Sequence, residues 1–115
     1  MAGKVKRNIK ALKRLRAIFA KVPPRKIDMS EVSPLNGRGC LLYHGRNDKT
    51  LTRLRHDHGF EFGWGLTYLE RSRLFAFAGS VKGDPSKVTK TQALASLDAA
   101  IAGKPIKPYV VKPTP

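Results

Sequence analysis

Helix-stopping residues recur at short intervals along this chain: Pro23-Pro24, Gly45, Gly59, Gly79, and Gly103 followed by Pro105. A proline has no amide hydrogen to donate and biases the residue before it away from helix. Glycine supplies the left-handed turn with which many helices end. No helix between such stops can be long. Within the segments, apolar residues recur at helical spacing and polar residues stand where caps are needed. The pattern predicts an all-α fold, a compact single domain of four to five short helices over residues 1–103. Residues 104–115 hold four prolines and three lysines, which predicts an extended, flexible, basic proline-rich tail. At 115 residues the chain has the length of one domain and can bury one modest core.

The first helix is expected from Asn8 to Lys21. Val5, Ile9, Leu12, Leu15, Ile18 and Phe19 fall on one broad face at about 100° per residue. Lys6, Arg7, Lys10, Lys13, Arg14 and Lys21 gather opposite. Arg16 lands inside the apolar arc, so its stem snorkels or the arc has an edge there. After the turn-rich stretch 27–35, Cys40 to Tyr43 predicts a short helix that Gly45 stops. Asp48 can cap a segment from Lys49 to His56. Gly59 to Gly65 alternates glycine with aromatics, as a tight connector or a short strand. Thr67 and Glu70 have the spacing of a capping box. A helix from Tyr68 to about Ala78 should follow, with Leu69, Leu74, Phe75 and Phe77 in the core. Thr89 and Gln92 repeat the device, ahead of a stripe of Leu94, Leu97 and Ile101 and a glycine cap at Gly103.

The single cysteine, Cys40, rules out an intrachain disulfide and fits a reducing, cytoplasmic setting. No apolar run reaches the roughly 18 to 20 residues that span a bilayer. The basic N-terminus lacks the apolar core of a secretory signal, although its composition shares features with mitochondrial presequences.

The segments Val22-Pro23-Pro24-Arg25-Lys26-Ile27-Asp28-Met29-Ser30, Gly39-Cys40-Leu41-Leu42-Tyr43-His44-Gly45, Phe62-Gly63-Trp64-Gly65-Leu66-Thr67 and Val88-Thr89-Lys90-Thr91-Gln92-Ala93-Leu94 resemble, in content and order, a loose family of small phage and prophage proteins of unknown function. The resemblance runs over roughly residues 8 to 103. Those proteins have a Cys-Gly pair near the position of Gly37-Arg38. The resemblance implies a phage setting, with a host cytoplasm as location, and an α-rich fold. It implies no activity.

Charge is the strongest functional signal. The chain carries 23 Lys and Arg against 8 Asp and Glu, a net +15, and residues 1–26 hold ten of the cations and no acid. An ordinary solvated helix face mixes both signs. An acid-free face points to a polyanionic or acidic partner. Lys6, Arg7, Lys10, Lys13, Arg14 and Lys21 are the first candidates. Arg53 and Arg55, in a cluster with Arg46 and Lys49, form a second group, and Arg71 and Arg73 a third. Trp64 or Tyr68 beside the last group could stack an unpaired base. Cys40, His44, His56 and His58 are weak candidates for a zinc site, because structural sites usually show a Cys-x-x-Cys pair. Asp57, His58 and Glu61 form one local cluster, not the converging set that metal-dependent hydrolysis needs. No phosphate-cradling loop, nucleophile elbow or dinucleotide fingerprint is present. The expectation is a non-enzymatic protein without cofactor or membrane partner that binds DNA or RNA by backbone phosphate contacts. The alternative is a phage effector whose same face grips an acidic host protein.

Overall fold

Asn8 starts the architecture. Its side-chain oxygen accepts from the amide of Ala11 (3.2 Å), capping the first helix, and its amide nitrogen donates to the carbonyls of Leu54 (2.9 Å) and Gly63 (2.8 Å). Its backbone amide donates to Trp64 (3.0 Å). One buried side chain thus caps a helix and ties it to two later segments. The computed structural model describes residues 7–29, 39–56, 63–76 and 80–111. Five α-helices lie among them: α1 (Ile9–Ala20), α2 (Leu41–Gly45), α3 (Lys49–His56), α4 (Tyr68–Leu74) and α5 (Lys90–Ile101). Among the described residues there is no strand, only isolated parallel bridges between Ile27 and Gly39 and between Lys82 and Val110. The all-α expectation holds.

α1 is the spine, in contact with α2, α3 and α5. Ala11, Leu12, Leu15 and Phe19 are fully buried, and Ile9 and Ile18 pack at the margins. Each large side chain so buried contributes roughly 1.5–3 kcal/mol. Val5 lies outside the described residues. Arg16 sits at the edge of the arc and pairs with Asp98 of α5. On α5 the centre of the buried stripe is Ala93, Leu97 and Ala100, with Leu94 and Ile101 at its flanks. Small residues at that centre let α1 and α5 approach closely.

The expected caps are present. Thr67 and Glu70, and Thr89 and Gln92, each form a reciprocal capping box. Asp48 accepts from the amide of Leu51 (2.7 Å) ahead of α3. After α5, Gly103 takes φ +77, its amide donates to Ala100, and the amide of Lys104 donates to Ala99. That pairing is a Schellman motif. Gly45 ends α2 where a Cβ would come within 2.9 Å of both Leu15 and Leu51. Trp64 and Leu66 are buried, so this half of the 59–65 stretch is the connector under the core.

Three expectations are corrected. α4 ends at Leu74, short of Ala78, because Ala76 turns to φ 56. Leu69 is 55% exposed. It stands about 140° around the helix from Leu74, and Leu74 and Phe75 take the core face. Phe77 and Gly79 lie outside the described residues, as does Gly59. The third correction concerns the tail. Residues 104–111 form no helix or strand beyond the bridge at Val110, yet Ile106 and Tyr109 are buried in the core. Tyr109 donates its hydroxyl to the Leu74 carbonyl (2.8 Å), and the amides of Lys82 and Val111 pair with Tyr109 and Lys82. The packed domain therefore continues through Val111, and no boundary falls at Gly103.

A candidate polyanion-binding surface

The cations expected to bind a partner divide into two groups. Arg7 is only 15% exposed. It donates to the carbonyls of Ala100 (3.0 Å) and Lys104 (2.7 Å) and pairs with Glu70 (2.6 Å). One guanidinium thus joins the start of α1, the end of α5 and α4. Its rigid fork suits such multiple bonding. The Arg55 guanidinium lies over the Trp64 ring, 4.9 Å from its centroid, and Arg73 donates to the Ile106 carbonyl (3.2 Å). Arg71 is half-buried, 6.0 Å from the centroid of Tyr68. Arg7, Arg55 and Arg73 are therefore each engaged within the fold. Trp64 is also buried, its ring tilted 54° against Phe75 with centroids 5.3 Å apart, and cannot receive a base. Tyr68, 72% exposed, can.

The second group faces water. Lys10, Lys13 and Lys21 are exposed on the side of α1 away from the core. Arg14 lies among them, its side chain 43% exposed, and it donates to both carboxylate oxygens of Asp48 (3.2 and 2.7 Å). The guanidinium bond holds the Asp48 carboxyl below the usual carboxylate range, with the Leu51 amide helping. This ion pair brings the exposed face of α1 against the first turn of α3. There Lys49 and, one turn on, Arg53 are exposed. Arg46, exposed in the preceding turn, lies over the Tyr43 ring at 4.6 Å. Beyond Lys21 the exposed Arg25 and Lys26 extend the cationic surface. Lys6 lies outside the described residues.

The candidates Arg25, Lys26, Arg46 and Lys49 could be sought by extending the charge run and following Asp48. Nothing in the sequence, however, distinguishes arginines bonded inside the fold from cations left outside. Of the described carboxylates, Asp48, Glu70 and Asp98 each pair with an arginine of α1 or its N-terminal flank. Lys90 likewise donates to the carbonyl of Ala20 at the end of α1 (2.7 Å).

The weak zinc set does not assemble among the described residues. Cys40 is a buried thiol at the start of α2. His44, one turn on, donates Nε2 to the Lys26 carbonyl (2.8 Å) and packs edge-on against Phe19 and Tyr43. No group of three or more His, Cys, Asp or Glu is gathered among the described residues. The His56 side chain, His58, Asp57 and Glu61 fall outside them. Among the described residues, no helix is long and apolar enough to cross a membrane. The chain matches no protein-family model, no curated protein and no solved structure.

Proposed function

We propose that this protein is a small non-enzymatic nucleic-acid-binding protein that grips the phosphate backbone with Lys10, Lys13 and Lys21, joined by Arg14, Lys49 and Arg53. The observation carrying this reading is the division of cations. Along α1 and its flanks Lys10, Lys13 and Lys21 stand free in water, while Arg7, Arg14 and Arg16 engage carboxylates or carbonyls. Lysine is a compact point charge on a flexible stem, suited to phosphates in many registers. Asp48, which lies against this face, is neutralised by Arg14. No base-reading motif accompanies the charge, so binding rests on backbone contacts and falls steeply with salt.

A fluorescence anisotropy titration of the full chain against labelled DNA and RNA, at two salt concentrations, tests this. Binding at low salt with a slope of log affinity against log salt of about −3 to −5 is expected. Absence of binding at low salt defeats it. In that event, a stoichiometric protein recovered from nuclease-treated lysate would favour the alternative, a phage effector bound to an acidic host protein.

A further inference from the structure

The cations on the exposed face of α1 are not evenly spaced. Lys10, Lys13 and Arg14 form one cluster and Lys21 the other, with exposed Ala17 between them. All five positions project within about 100° of one another around the helix. From Lys13 to Lys21 the axis advances roughly 12 Å. That advance matches the width of the B-form DNA major groove, about 12 Å. A methyl group faces the gap. Nor does the face offer a platform for unpaired bases. Among the described residues, Phe19, Trp64, Phe75 and Tyr109 are buried, Tyr43 is half-buried beneath Arg46, and the exposed Tyr68 is on α4. Single-strand binders rely on stacked aromatics beside their charge.

From this spacing we infer that α1 lies across the major groove of double-stranded B-form DNA. Lys10, Lys13 and Arg14 meet one phosphate row, Lys21 meets the other, and Ala17 spans the groove. The inference rests on the nucleic-acid reading above and adds the form of the nucleic acid. The major groove of A-form RNA is deep and narrow, so the two clusters cannot both reach phosphates there in the same way.

The test is the salt slope of binding for the full chain and two variants on a DNA duplex, an RNA duplex and single-stranded DNA. Both changed positions are exposed, and glutamine is a good helix former at either. On duplex DNA, Lys21→Gln should flatten the slope by about 1 and Ala17→Gln should leave it unchanged, because a neutral side chain over the groove releases no counterion. An unchanged Lys21→Gln slope on duplex DNA would mean that Lys21 meets no phosphate row, and the inference falls. It also falls if single-stranded DNA or duplex RNA binds as tightly as duplex DNA; the nucleic-acid reading then survives. No binding to any of the three overturns both.

Discussion

Replacing Arg7 with alanine removes two bonds to carbonyls and the pair with Glu70, in a site where the guanidinium is largely shielded. Charge-assisted bonds of this kind contribute about 1.5–3 kcal/mol each way they are lost. We expect Arg7→Ala to lower unfolding stability by about 2–3 kcal/mol in a urea titration, while Lys10→Ala changes it by less than about 0.5 kcal/mol. Equal effects would refute the division of the cations. Asn8→Ala should cost about 2 kcal/mol or more, since it loses a cap and leaves the Leu54 and Gly63 carbonyls without their donor. The value of Asn8 was not legible beforehand. Its position at a helix start could be read from sequence, but its partners lie 46 and 55 residues away. The same distance hides the role of Arg7, whose partners are 63 to 97 residues along the chain.

The capped ends of the helices were the most legible elements, because a cap is made by residues three or four apart. Thr67 with Glu70, Thr89 with Gln92, and Gly103 all act where their spacing placed them. Thr89→Ala should cost about 1 kcal/mol. The two helix-ending glycines differ in a way that sequence cannot reveal. Gly103 has open space about its Cα, so Gly103→Ala meets only the left-handed backbone penalty, roughly 1 kcal/mol. Gly45→Ala drives a methyl into Leu15 and Leu51 and should cost about 1–3 kcal/mol. Thermal melts of the pair would check the ordering. The spacing that puts Leu69 on the core face runs over a segment longer than the seven-residue α4. The side of a short helix that is buried is decided by its neighbours.

Across the whole molecule, the C-terminal strap closes the core. Its composition resembles a loose tail, and Ile106 and Tyr109 stand too isolated among prolines and lysines to show a period. The core that receives them is built by distant segments. Burial holds the Tyr109 hydroxyl well above the ordinary tyrosine range. The un-ionised form is therefore favoured in the fold. Its stabilising effect is complete below the unfolded value of about 10 and is lost as pH rises beyond it. We expect wild-type stability to decline above about pH 10 and Tyr109→Phe to flatten that decline. The carboxylates act at the other end. Asp48 and Glu70 lie below their usual values in the fold, Asp48 chiefly through the Arg14 hydrogen bond. Backbone and side-chain bonds from Thr67 and Arg7 outweigh burial at Glu70. Their contribution is present above the unfolded carboxylate range and is lost as pH falls below about 4. Stability curves against pH for the wild type and Asp48→Asn would check this, the variant losing less on acidification.

Of the surface, the acid-free run was legible as charge, and its helical spacing as a face. Which cations remain outside depended on the packing of α4 and α5. The most direct measurement is therefore a paired one on Lys10→Glu/Lys13→Glu/Lys21→Glu: its anisotropy titration against duplex DNA and its thermal melt. Binding at low salt should be abolished while the melting temperature stays within a few degrees of wild type. Retention of wild-type DNA affinity would contradict it, and so would unfolding of the variant, which would make that face part of the structure.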